Sequence, residues 1–228
     1  MSPHQPPEPS SPYARALGAL RVTSGRSESA SGGVDALHPT LQQYFATIPE
    51  GHVGRGRGVF DRVGTPRRWL HPVLRLLERR GVVRATWARD VPFTVENRTI
   101  AGRAVGRRSL ELPDGLWQMR DSVGLNAQGR LVDEIGEPAT VVASFDLSAG
   151  ADGVRLVSRY VGLVLFAHRG DRRRVLRLPR AIAPVVRLHE RFDALAQRQR
   201  VDVTIDVPFF GRIYEYGGAF TYRIEEEY

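Results

Sequence analysis

The sequence predicts a mainly β protein, a strongly curved antiparallel sheet or open β-barrel of about nine to ten strands with two short helices on its N-terminal side. Three observations carry that reading. Beyond Val91 nearly every segment is a short apolar run or alternates apolar with polar residues, and turn sequences such as PDG, NAQG, GADG and PFFG divide these segments. Helical spacing of apolar residues is confined to two stretches between Asp35 and Gly81. Between those stretches, VGRGRGVFDRV places Gly54, Gly56 and Gly58 on one parity and Val53, Arg55, Arg57 and Val59 on the other.

Residues 1–36 are rich in Pro, Ser and Gly and nearly free of aromatic side chains, so they are expected to form a disordered tail ahead of a single β-rich domain at 37–228. Asp35 suits an N-cap and Pro39 a first helical turn, and Leu37, Leu41, Tyr44, Phe45 and Ile48 follow at helical spacing. This first helix should end before Pro49. The second follows Pro66, with Trp69, Leu70, Val73, Leu74, Leu76 and Leu77 as its apolar face and Gly81 as its stop; Pro72 splits or restarts it.

The RG run between the helices has two readings, a flexible nucleic-acid-binding segment or a strand. Flexible RG segments repeat many times and lack ordered apolar flanks; this one is brief and leads straight into a helix, which favours the strand. Three glycines on one face let another backbone, a helix or a ligand come close, and bending there helps a barrel close. The remaining strands are expected at 91–100, 103–112, 115–124, 130–135, 138–147, 154–168, 185–192, 200–207 and 211–223. In RVDVTIDV, Val201, Val203, Ile205 and Val207 share one face, so the sheet has one dry side.

Composition narrows the chemistry. The chain has no cysteine and no lysine, which removes disulfides, thiolate nucleophiles, Schiff-base chemistry and a phosphate-loop lysine. The net charge of +8 permits an anionic partner without requiring one. No pair of histidines has the i, i+4 spacing of a helical metal site, and neither a G-x-G-x-x-G fingerprint nor a G-x-S-x-G elbow is present. We therefore expect no metal and no cofactor. The N-terminus lacks a secretory pattern, and the longest apolar run, VGLVLFA at 161–167, is far shorter than the roughly 20 residues that span a bilayer. A cytoplasmic protein with no transmembrane segment is the expectation.

Several pieces in order, LHPTLQQYF at 37–45, GRGVFD at 56–61, DVPFTVE at 90–96, LVDEIGE at 131–137, LRLPRAIAP at 176–184 and VDVTIDVPFFGRIYEYGGAF at 201–220, resemble a bacterial domain family of unassigned function. That family is often fused C-terminal to a saccharopine-dehydrogenase-like reductase. The resemblance implies a separately encoded reductase as a possible partner and transfers no catalytic residues.

Candidate site residues come from strand parity. With a turn centred on Ala127, Asp121 lies directly opposite Asp133 on the apolar face, where two carboxyls would share a proton and supply an acid near neutral pH. The competing readings are an arginine partner, a rim position or a shifted register. Trp117 and Met119 share that face. Tyr160 and His168, on a strand apolar on both sides, would be polar handles in a cavity, although a solvent-capped His168 is the blander account. The last strand puts Arg212, Tyr214, Tyr216, Gly218 and Phe220 on one face, as a pocket lining or as helix packing. Catalytic candidates are thus Asp121, Asp133 and Tyr160; ligand-binding candidates are Trp117, Met119, His168, Tyr214, Tyr216 and Arg57.

Barrels of this size often enclose one small ligand, so the leading expectation is a module that binds an apolar or amphipathic molecule, lipid-like or polyketide-like. The alternatives are a cofactor-independent cyclase or isomerase using the same cavity, and an accessory domain for a reductase. Specific nucleic-acid binding is not expected. HRGDRRRVLRLPR, at 168–180, is read as a solvated connector, with phosphates or an acidic membrane surface as the other reading.

Overall fold

The computed structural model describes residues 10–24, 34–165 and 174–227. Ten antiparallel strands close into a barrel. In chain order they are β1 (His52–Gly64), β2 (Trp87–Ile100), β3 (Arg103–Leu112), β4 (Gly115–Leu125), β5 (Leu131–Ile135), β6 (Val141–Gly150), β7 (Gly153–Leu165), β9 (Val185–Asp193), β10 (Arg198–Val207) and β11 (Gly211–Glu226); the short β8 (Arg174–Arg177) pairs outside on the end of β7. The expected open sheet is closed because β1 pairs with β11 and β6 with β7, which leaves no free edge in the ring. All ten expected strands are present.

The glycines of β1 face inward. A Cβ on Gly54 would stand 1.6 Å from the Tyr222 hydroxyl oxygen, and one on Gly58 would stand 2.2 Å from the Ala219 carbonyl oxygen. Tyr222 and Phe220 occupy the space that side chains would have taken, and Phe60 stacks on Phe93 with ring centroids 3.8 Å apart. Asp61 is an extra residue in the β1–β11 register, and Ile213 is another in β10–β11. Such bulges increase the local twist and bend, and they shift which parity faces in.

Helices close both ends. Alpha helix α2 (Pro39–Phe45) is capped by His38, whose Nδ1 accepts from the Thr40 backbone N–H at 3.3 Å; Asp35, the expected cap, lies in a separate 3-10 turn. Pro72 restarts the second helical segment, so that a 3-10 turn at 68–70 precedes α3 (His71–Glu78). Of its expected single apolar face, Leu74 is buried and Leu70 and Leu77 half-buried, while Trp69, Val73 and Leu76 point to solvent.

The expectation of a disordered tail to residue 36 does not hold for its middle. Residues Pro12–Ser24 form α1, with Leu17 1% exposed against Leu37, Leu41, Phe45 and Val154, and Ala16 packed among Val123, Leu131 and Ala143. The Ser11 hydroxyl anchors its start, donating to the Phe45 carbonyl at 3.0 Å and accepting from the Ala14 N–H. Composition misjudged this stretch because YARALGAL has few but well-spaced apolar residues, and its partners come from distant parts of the chain.

Candidate functional site

The barrel encloses a cavity of about 230 Å³. Its wall is mainly aliphatic, with Ile135, Ala143, Leu156, Val161, Leu163 and Val203 among the lining residues, and α3 and the chain after it cover one end through Leu74, Leu77, Val82 and Val83. Toward α1 and α2 a second chamber of about 50 Å³ follows, bordered by Tyr44, Asn97 and Glu190. Tyr13, Arg108 and Asp121 line both. A polar cluster therefore stands between a larger apolar chamber and a smaller one of mixed lining.

Arg108 sits on β3 between Val95 and Met119, and the inward parity of that strand reads Ala104, Gly106, Arg108, Leu110, Leu112. An arginine in an apolar row must find a carboxylate or lose heavily by desolvation. It finds Asp121, with which it forms a short ion pair, the Asp121 side chain being 9% exposed. Burial pulls the Arg108 pKa down, but Asp121 and the neighbouring tyrosines outweigh it and hold the pKa above the ordinary arginine value. Gly106 makes the pair possible: a Cβ there would lie 2.8 Å from Asp121 Oδ1 and 3.2 Å from Asn97 Oδ1.

Asp121 does not face Asp133. The β4–β5 turn is closed by the Asn126–Arg130 pair, with Asn126 Oδ1 accepting from the Gln128 and Arg130 N–H groups and Gly129 at φ +72. It is thus centred on Gln128, one residue beyond the expected Ala127, and Asp121 pairs with Ile135 while Asp133 pairs with Val123. The two carboxyls are diagonal neighbours on one face. Burial, then Asp121, push the Asp133 carboxyl well above the usual carboxylate range, against a smaller opposing pull from Arg108, so Asp133 keeps its proton near neutrality. Its Oδ1 is buried with no hydrogen-bond partner among the described residues, and Asp133 lines the apolar chamber. Tyr13, whose hydroxyl pKa is raised by burial and by Asp133 and Asp121, stays a phenol beside them.

The other expected residues divide. Met119, Tyr214 and Tyr216 turn into the chamber; Trp117 lines a side lobe of about 30 Å³ shared with them and donates its indole N–H to the Glu78 carbonyl at 3.3 Å. Tyr214 is 3% exposed and accepts from the Arg84 N–H at 3.2 Å. Tyr160 does not line the cavity. Arg159 is an extra residue in β7 against β6, which reverses the inward parity from Leu156 to Val161 and leaves Tyr160 outside, under the Arg177 guanidinium at 4.4 Å. Arg57 is exposed on the outer wall, since it alternates with the inward glycines. Arg212 likewise lies outside, bonded to Asp206 and Glu215, because the bulge at Ile213 puts that residue and not Arg212 inside. His168 lies outside the described residues.

Sequence reasoning passed over Arg108 and Glu190. Both break an apolar parity, Glu190 in Val186, Leu188, Glu190, Phe192, and that break was the available signal. Glu190 is 3% exposed, accepts from Gln199 Nε2 at 3.2 Å, and is pushed up to about 7 by burial, with Arg108 and Gln199 pulling the other way.

No helix among the described residues is long and apolar enough to cross a membrane. Neither a curated protein nor a solved structure matches the chain. A family model does match residues 37–220, everything from just before α2 into β11, so the chain belongs to the family described as a domain of unknown function, DUF4166.

Proposed function

We propose that this barrel binds a compact amphipathic small molecule, an apolar body carrying one hydroxyl or carbonyl group, in the chamber that Asp133 lines. The observation that carries the reading is the pairing of an aliphatic cavity of about 230 Å³ with one buried carboxyl oxygen that has no hydrogen-bond partner among the described residues. An empty apolar cavity of roughly 150 Å³ already holds benzene. This one has room for a larger ring system or a short chain, and a protonated Asp133 offers a hydrogen bond to the polar group. Met119, Tyr214 and Tyr216 would shape the wall, and Arg108 with Asp121 would form its polar floor.

The test is native mass spectrometry of the full chain with organic extraction of co-purifying compounds, together with a fluorescence titration using 2-naphthol. Ala143, 2% exposed on the chamber wall, becomes leucine in the control. We expect 2-naphthol to bind and Ala143→Leu to weaken it about tenfold, a loss of about 1.4 kcal/mol. Undiminished binding by a folded Ala143→Leu protein would place the probe elsewhere and defeat the reading.

The raised Asp133 carboxyl also favours a second reading, general-acid catalysis of a cyclisation or isomerisation in the same chamber. Its signature is an Asp133→Asn protein that keeps binding and loses turnover.

A further inference from the structure

The end of the barrel covered by α3 has an unusual outer surface. Trp69, Val73 and Leu76 are 57%, 59% and 64% exposed, although Leu74 of the same helix is buried. Next to them is the β10–β11 turn, where the Trp69 and Phe210 rings lie 5.8 Å apart. Phe209 at its tip is 97% exposed and held at φ +64, a left-handed conformation that costs a non-glycine residue energy. Ile182, in the turn between β8 and β9 at this same end, is 54% exposed.

The charge of the α3 segment is one-sided: between Pro66 and Val83 stand Arg67, Arg68, Arg75, Arg79 and Arg80 against a single acid. On the wall many arginines meet cross-strand acids, Arg62 with Glu215, Arg187 with Asp206, Arg191 with Asp202 and Arg200 with Asp61, while the exposed Arg57, Arg89, Arg107 and Arg223 make no ion pair among the described residues. Around α3, Arg68, Arg75, Arg79 and Arg180 are exposed and make no ion pair among the described residues. Glu78, the only acid between Pro66 and Val83, is taken by Arg84. Exposed apolar side chains beside arginines without ion pairs match the two requirements of an interfacial anchor on an anionic lipid surface.

These segments are also the cover of the cavity: Leu74 and Leu77 of α3, Leu178, Pro184 and Ile213 line the chamber from the inner side of the same pieces of chain. We infer that the α3 end of the barrel docks peripherally on an anionic phospholipid bilayer, with Trp69, Val73, Leu76 and Phe209 inserted and the arginines on the headgroups. Ligand exchange between bilayer and chamber then needs only an outward movement of α3. That last step rests on the cavity reading; the docking does not.

The experiment is co-sedimentation of the full chain with vesicles of phosphatidylcholine alone and with roughly one-third phosphatidylglycerol. Binding to the anionic vesicles is expected, falling as salt is raised. Two exposed-site variants follow, Trp69→Ser with Val73→Ser, and Arg68, Arg75 and Arg79 each to Gln. These positions are solvent-facing, so both should keep the melting temperature of the parent. Each arginine replaced should lower partitioning about fivefold, and the triple variant more than about a hundredfold. Ala143→Leu should bind vesicles as the parent does, which separates a failure of docking from a failure of the cavity reading. The inference is overturned by absence of binding at low salt, by equal binding to neutral vesicles, or by a stable dimer that buries Trp69.

Discussion

Replacing Glu190 by glutamine isolates one buried carboxyl whose cost the structure sets. Glu190 is 3% exposed, and its carboxyl is displaced from the usual 4.5 to about 7, burial being the main cause. Because the folded state holds the proton more tightly than the unfolded chain, stability is unaffected below about pH 4.5 and falls as pH rises toward 7, then levels off. At about 1.4 kcal/mol for each pH unit, the penalty reaches about 3 kcal/mol above neutrality. Glutamine keeps the shape and the acceptor that Gln199 Nε2 uses, and it does not ionise. Glu190→Gln should therefore match the parent at pH 4.5 and exceed it by about 3 kcal/mol at pH 8. Urea unfolding at stepped pH reads this directly, and the difference between the two proteins removes contributions from Asp133 and every other group they share. A difference that stays constant from pH 4.5 to pH 8 would refute the assignment of Glu190 as a proton-holding buried group.

Two further outcomes test the packing. Leu17→Ala should cost about 3 kcal/mol in urea unfolding, because Leu17 is 1% exposed among Leu37, Leu41, Phe45 and Val154; a loss below about 0.5 kcal/mol would mean that α1 contributes nothing to the closed end. Gly58→Ala should cost about 3 kcal/mol, the upper part of the range for overpacking, since its Cβ would stand 2.5 Å from the Phe220 Cβ and 2.2 Å from a backbone oxygen. An unchanged melting temperature in that variant would contradict the close approach of β11 to β1.

Docking on a bilayer and holding a small amphipathic molecule are physically compatible tasks for one barrel. In the proposed docking the chamber would be reached through the cover formed by α3 and its neighbours, with Arg108, Asp121 and Asp133 lining it beside the aliphatic wall. A molecule entering from that end would lead with its polar group. The Arg108–Asp121 pair satisfies its own charges, whereas Asp133 Oδ1 is buried with no hydrogen-bond partner among the described residues. This division depends on Gly106, which has no side chain to separate Asp121 from the strand beside it.

Local pattern alone determined the ten barrel strands, the strand character of the RG run and the inward turn of Met119, Tyr214 and Tyr216, because alternation is a property of neighbouring residues and survives whatever the chain later packs against. Tertiary structure decided the rest. A one-residue shift in the β4–β5 turn moved Asp133 off Asp121, and one extra residue in β7 turned Tyr160 outward, since period-two parity is reversed by any single insertion. Arg108 gained its meaning only when β4 brought Asp121 across Gly106. Helix α1 exists because the barrel end offers Leu17 a buried site, and its own composition could not have supplied that burial energy.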